Sequence, residues 1–306
     1  MKLKLGYSIS LPLHKHMAAK QHSLIAEDAP SVSDYDIINN IQTIKNLSKN
    51  FNSIQIMFNK TKLNQTELED INKILKNYKN IYVHASYQIN IGSDLIPTKN
   101  DLFNIGFDIL INEIIYANKI NAKAIVLHLG KNVKNKYNPD HIYNNMIKFV
   151  IELFNKLDNL NIKTKLLFET PAGQSGEMCS DIQELVDFIL IFKEQSFYKN
   201  IGVCIDTCHI FQAGYNLNDD KVIKNIHKIF KPIQNKIMLI HLNDSVKEYG
   251  MHIDRHEQIG KGKINVDKLI KFILPYKKLP LILETSPPYQ NQVTLTFKSL
   301  SDLKVS

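Results

Sequence analysis

Eight strand-like runs recur along the 306 residues of this chain: Lys4–Ser10, Ser53–Phe58, Asn80–Ser86, Lys123–Leu129, Lys165–Thr170, Ile201–Thr207, Lys236–Asn243 and Pro280–Ser286. Helix-length segments lie between them, with apolar residues at threes and fours. Asp101–Lys119 carries Leu102, Ile105, Ile109, Ile114 and Ile115 in that pattern, and His141–Leu157 is a second such segment. No linker rich in Pro, Gly or Ser divides the chain. The regular alternation predicts an α/β protein, a single (β/α)8 TIM barrel over residues 1–306, rather than an open doubly wound sheet.

The last residues of the strands say where the chemistry lies. Strand three ends IYVHAS with His84, and strand four ends AIVLHLG with His128. Strand five ends LLFET with Glu169, and strand six ends on Asp206. Strand seven ends MLIHLND with His241, and strand eight ends LILET with Glu284. In a barrel these ends converge on one face, where catalytic residues of this fold are found. Apolar residues at alternate positions, such as Val126 before His128 and Leu239 before His241, turn each toward the interior. A lone buried histidine reads as a hydrogen-bonded core residue. Six metal-capable groups at equivalent positions read as a polynuclear metal site.

The stretch Ile201–Tyr215, IGVCIDTCHIFQAGY, is the most informative. A buried strand ending on Asp206 carries a charge that is costly unless paired or bound to a cation. His209 follows three residues later, where the backbone must already be turning. The plain alternative is an aspartate capping the next helix with a histidine packed against it. Downstream, LNDSVKEYGMHIDRHEQIGKG is a long polar loop holding Asp254, Arg255 and His256. Asp254 and His256 are two apart, so on extended chain both can face one ion. With His209 they make a three-ligand site of the kind catalytic zinc uses. His252 reads as solvent-facing. Gly250, Gly260 and Gly262 mark points where the backbone turns or passes close to another group.

An apolar fraction of 44% and a charged fraction of 22% describe an ordinary globular composition. The net charge of +8 favours an anionic partner such as nucleic acid without proving one. Cys179, Cys204 and Cys208 form no C-x-x-C pair and fit buried thiols in a reducing compartment. Cys208 is read as core packing rather than as a ligand. No stretch has the length and apolarity of a membrane span or signal peptide, so an intracellular location, cytoplasmic or nuclear, is expected.

The motifs HASYQINIG, VLHLG, FETPAGQ, GVCIDTCHIFQAGY, HLND with DRH, and LILET resemble those of the endonuclease IV family of apurinic/apyrimidinic endonucleases. The resemblance implies three Zn2+ ions at the barrel mouth, with Mn2+ or another divalent ion left open. Carried over by position, His84, His128 and Glu169 would hold the first ion. Glu169 would bridge to a second held by Asp206, His241 and Glu284, and His209, Asp254 and His256 would hold the third. Glu169, Asp206 and Glu284 are then the candidate catalytic carboxylates. The implied substrate is duplex DNA with abasic sites, cut on the 5′ side to leave a 3′-hydroxyl in base excision repair. The resemblance leaves open 3′-phosphatase or 3′-phosphodiesterase action, and a monomer with no membrane partner is expected. Two ions about 3.5–4 Å apart would clamp an in-line displacement at phosphorus, with no side-chain general acid needed.

The first two loops depart from the family pattern. Strand one reads GYSISLPLH, with Tyr7 where a histidine is usual, and the second loop has Asn59, Lys60, Thr61 and Lys62 where an arginine is expected. Val246 stands where a lysine is expected, and Lys247 follows. Tyr87 is a candidate to wedge into the gap left by a missing base, with loop packing as the alternative. Lys60, Lys62, Gln174, Lys247 and Arg255 are the other candidate DNA contacts. Gly173, Gly176 and Ala213–Gly214 either let DNA backbone approach or serve plain turns. Two rivals stand against the nuclease: a sugar isomerase or epimerase on a similar barrel, and a non-catalytic DNA-binding protein.

Overall fold

Strand β1 (Lys4–Leu11) pairs in parallel with β2 (Ser53–Phe58) on one side and with β10 (Pro280–Leu283) on the other, and this closes the sheet. Between them run β3 (Asn80–His84), β4 (Ala124–Leu127), β5 (Lys165–Glu169), β6 (Ile201–Asp206) and β7 (Ile237–His241), each parallel to its neighbours. The eight predicted strands are the eight staves of the barrel, each a little shorter at one end or both except the first, which is longer, and the second, which agrees. This is a computed structural model, and it describes residues 4–11, 52–58, 62–93, 102–158, 160–162 and 164–285.

The helices among the described residues are α1 (Gln65–Leu75), α2 (Leu102–Lys119), α3 (Pro139–Asp158), α4 (Ile182–Ile191), α5 (Thr207–Gln212), α6 (Asp220–Phe230) and α7 (Val266–Ile273). Local chemistry sets their starts. Asn64 and Glu67 form a reciprocal capping box at α1, and Asp181, Asp219 and Asn265 cap α4, α6 and α7 with side-chain oxygens.

Apolar residues partition between two compartments. The larger lies between strands and helices, with Ile54, Ile125, Phe168, Ile205 and Ile240 on the outer face of the staves. The smaller fills the barrel: Tyr82, Ala124, Val126, Leu167, Cys204, Leu239 and Ile282. Side chains two apart on a strand share a face. Tyr82, Val126, Leu167, Cys204, Leu239 and Ile282 therefore place His84, His128, Glu169, Asp206, His241 and Glu284 on the inward side, one layer higher. His84, Glu169, Asp206 and His241 are the last residues of their strands, while His128 and Glu284 lie one residue past theirs.

The long polar loop after β7 is more ordered than its composition suggests. It folds into a short antiparallel ribbon, β8 (Asp244–Ser245) with β9 (His256–Glu257). The buried Asp244 carboxylate accepts the backbone N–H groups of Ser245, Gly260, Gly262 and Ile264, which ties the loop down. Gly262 is required there, because a Cβ would lie 2.4 Å from Asp244 Oδ1.

Candidate metal centre

Glu169 stands at the middle of the barrel mouth, almost wholly buried, with its two oxygens turned to different imidazoles. Oε2 lies 3.3 Å from His84 Nε2 and 3.0 Å from His128 Nε2. Oε1 lies 2.7 Å from His241 Nδ1. The other carboxylates of the same layer crowd His241: Glu284 Oε2 is 3.1 Å and Asp206 Oδ2 is 3.8 Å from that nitrogen.

Asp206 serves both readings made of it from sequence. Its Oδ1 accepts the His209 N–H at 2.8 Å as the N-cap of α5, while Oδ2 faces the mouth. The first turn of α5 then carries His209 back over the barrel. Its Nδ1 donates to the Thr170 carbonyl at 2.9 Å, which turns Nε2 toward Asp254 Oδ1 at 3.3 Å. The ribbon strand β9 brings His256 to the same oxygen, Nε2 at 3.1 Å.

The structure thus brings together three sets of donor atoms, each set within 4.8 Å: His84, His128 and Glu169; Glu169, Asp206, His241 and Glu284; and His209, Asp254 and His256. A fourth set substitutes Cys208 beside Asp206 and His256. Cys208 is fully buried, its Sγ 3.7 Å from the Arg255 carbonyl, and burial pushes its thiol up to about 12.

These donors fit divalent cations. His209 Nε2 and His256 Nε2 are buried without a hydrogen-bond partner, and both are aimed at one carboxylate oxygen. Orphaned buried donors call for a partner that is not protein. The imidazole and carboxylate mix suits zinc, and Nδ1 of His84 and of His209 engages a backbone carbonyl as metal-binding histidines commonly do. Electrostatics run the same way. Burial opposes protonation of His128, yet the neighbouring Glu169 raises it to about 9. Burial would raise Glu284, and the adjacent His241 instead holds it at about 2.

Sequence reading missed the groups that hold these side chains. Gln55 on β2, wholly buried, spans His241 Nε2 at 2.8 Å and Glu284 Oε1 at 2.7 Å. Asn243 donates from Nδ2 to Asp206 Oδ2 at 2.6 Å and to Glu284 Oε2 at 3.2 Å, and its Oδ1 accepts the Glu284 N–H. Glu177 lies 3.8 Å from His128 Nδ1 and pairs with Lys131 at 3.0 Å. Burial would raise the Glu177 carboxyl, but His128 and Lys131 hold it at about 2. The signal for Gln55 was present. In SIQIMF the apolar Ile54, Ile56 and Phe58 face the helices, so the intervening glutamine must point into the barrel.

The candidate DNA contacts fall out unevenly. Tyr87 is 65% exposed, with its ring 5.0 Å from that of His84 and 5.4 Å from that of His128, so it stands over the mouth instead of packing inside. Lys62, Lys247 and Arg255 are exposed, and the Arg255 guanidinium donates to the Asp254 carbonyl at 2.6 Å. Gln174 is half-buried, and its Oε1 accepts the Asp254 N–H at 3.0 Å, which makes it a brace for the third set. Lys60 lies outside the described residues. Gly173 and Gly176 serve turns, both with φ of +78°, and His252, itself exposed, packs against Gly173.

A family model described as the xylose isomerase-like TIM barrel matches residues 44–300. A relative named probable endonuclease 4, from Mesomycoplasma hyopneumoniae, is 35% identical over 239 residues, covering 72% of this chain and 77% of its own. Among solved structures, endonuclease IV from Thermus thermophilus superposes with a TM-score of 0.71 at 20% identity, over 98% of this chain and 100% of that one. A D-tagatose 3-epimerase-like protein superposes with a TM-score of 0.68 at 17% identity, over 98% of each chain. At those identities the two structures speak to the fold alone, which nuclease and epimerase share. The family model spanning most of the chain and the relative at 35% identity carry the finer assignment: this chain belongs to the endonuclease IV family of xylose isomerase-like TIM barrels.

Proposed function

We propose that this protein is a divalent-metal-dependent DNA repair endonuclease, with the barrel over residues 1–306 as its catalytic unit. It hydrolyses the phosphodiester on the 5′ side of an abasic site. Water adds to phosphorus, the P–O3′ bond breaks, and a 3′-hydroxyl and a 5′-phosphate on the abasic sugar are left. The observation that carries the reading is the convergence of nine imidazole and carboxylate side chains at one barrel mouth in a member of the endonuclease IV family.

His84, His128 and Glu169 would hold one ion, Glu169, Asp206, His241 and Glu284 a second, and His209, Asp254 and His256 a third, with zinc as first choice. When bound, such a cluster stabilises the attacking and leaving oxygens of an in-line displacement and the charge that develops on phosphorus. The chain's own residues do the rest. Glu169 directs one oxygen to each of two sets and so fixes their spacing. Exposed Arg255 and Lys247 on the loop beside the third set suit phosphate. Tyr87 offers an aromatic face where an abasic sugar, with no base to unstack, is extruded at comparatively low cost.

The test is cleavage of a duplex bearing one abasic analogue, with the product ends determined. Scission 5′ to the lesion with a 3′-hydroxyl is the expected result. Salt-dependent binding without scission would leave a DNA-binding protein. Isomerisation of a sugar without scission would move the site to the carbohydrate branch of the fold.

A further inference from the structure

Gln55 reaches the carboxylate and imidazole layer from β2, and it does so from full burial. It lies beside Tyr82 of the barrel interior and projects toward β7 and β10. Glu284 can only accept, so the end of the amide 2.7 Å from Glu284 Oε1 must be the NH2 group. The carbonyl oxygen is thereby committed to the other contact, 2.8 Å from His241 Nε2. An amide oxygen accepts only, so Nε2 of His241 must carry a proton. The ring nitrogen left facing Glu169 and Glu284 is Nδ1, at 2.7 and 3.1 Å.

This reverses the arrangement at the other four histidines of the candidate metal centre. His84, His128, His209 and His256 all present Nε2 to the nearest carboxylate. At His84 and His209 a backbone carbonyl takes Nδ1; at His241 a side-chain amide takes Nε2.

We infer that Gln55 is a positioning residue: it fixes His241 to offer Nδ1, and it pins Glu284 by one oxygen, so that the set Glu169, Asp206, His241 and Glu284 is assembled before its cation arrives. The inference rests on the metal-centre reading of the site. A partner of this kind that both sets a tautomer and holds a carboxylate is worth about ten- to a hundredfold in metal affinity. The effect is confined to one of the binding steps. His241 and Glu284, the two side chains that Gln55 holds, both belong to that one set, and neither belongs to the set His84, His128 and Glu169 or to the set His209, Asp254 and His256.

The experiment compares wild type with Gln55→Met, which keeps the volume and loses both polar ends, and with Gln55→Glu, which keeps an acceptor for His241. Zinc affinities are measured stepwise by chelator competition. The protonated nitrogen of each histidine is read from long-range 15N–1H spectra of the zinc-loaded, 15N-histidine-labelled proteins. Wild type is expected to show His241 protonated at Nε2. Gln55→Met is expected to lose about ten- to a hundredfold in one step, leaving the others within about twofold, and to lose the hydrogen-bonded signal of the His241 Nε2 proton. Gln55→Glu is expected to keep it. A wild-type His241 protonated at Nδ1 overturns the inference. So does a Gln55→Met protein with every step and the hydrogen-bonded signal of the His241 Nε2 proton unchanged. If Gln55→Met does not fold, the wild-type and Gln55→Glu spectra decide by themselves. Zinc binding with these tautomers but no scission of abasic duplex would sink the proposed activity and leave the role of Gln55 standing.

Discussion

Glu169 Oε1 and His241 Nδ1 meet at 2.7 Å across the mouth of the barrel, one from β5 and the other from β7, with β6 between them. The second oxygen of the same carboxylate is 3.0 Å from His128 on the opposite side, so one side chain ties two donor sets together. Glu169→Gln keeps the shape and removes the charge. Cleavage of abasic duplex is expected to fall by orders of magnitude, about 10²-fold or more, because charge opposite a reacting phosphate is the main lever of such a site. The circular dichroism spectrum should stay that of wild type. Near-normal cleavage by a folded Glu169→Gln protein would exclude a bridging role.

Metal stoichiometry is the most direct check on the donor sets. Protein prepared without chelator is expected to hold about three divalent ions per chain by elemental analysis. Stripping them should lower the melting temperature, since an ion that binds only the folded chain stabilises it by mass action. A reproducible content near one would remove the set His209, Asp254 and His256.

Recognition and chemistry should separate at Tyr87 and His128. Tyr87 is mostly exposed, whereas the His128 side chain keeps only 15% exposure and touches Glu169. Stacking on an aromatic face is worth about 1–3 kcal/mol, so Tyr87→Ala should weaken binding to abasic duplex about tenfold or somewhat more. Its metal content should not change. His128→Ala should lose metal and single-turnover rate while retaining much of the phosphate-driven affinity. Loss of metal in Tyr87→Ala, or affinity equal to wild type, would reduce Tyr87 to loop packing.

Glu113 supplies a pH signature away from the metal centre. It sits on α2, buried, and accepts the Ser86 N–H at 3.1 Å, holding the loop that carries Tyr87. Burial pushes its carboxyl up from 4.5 to about 8, against a smaller lowering by the Ser86 contact. The folded chain therefore keeps a proton that the unfolded chain releases. The stability Glu113 contributes is full below about pH 4.5 and is lost as pH rises toward 8, with a slope of at most about 1.4 kcal/mol per unit. Glu113→Gln preserves the acceptor and should flatten that slope in chemical denaturation, with its largest gain over wild type near pH 8. An unchanged slope would mean the carboxyl titrates as an ordinary surface group.

Much of this centre was legible in the chain. Period-two alternation told inward from outward positions, and the residue after each inward apolar one on the same face was His, Asp or Glu on six staves. Eight regularly spaced strand-and-helix units then favoured closure, and closure implied that six strand ends meet. Those inferences succeed because strand periodicity is local physics, readable within a handful of residues. The loop cluster at Asp254 and His256 was legible for the same reason: two residues apart on extended chain share a face.

What only the folded chain decided is how the donors are held. Gln55 and His241 are 186 residues apart, and Glu284 lies 229 from Gln55, so nothing local marks them as partners. The glutamine was visible as an inward polar residue, but its two ends acquired meaning only when barrel closure set β2 within reach of β7 and β10. Gln174, a candidate DNA contact from sequence, was seen to brace Asp254 only once the loops came together. Residue type and strand period specify which side chains enter the mouth. Hydrogen-bond direction and ring orientation depend on neighbours from distant strands, and those are set by closure of the barrel.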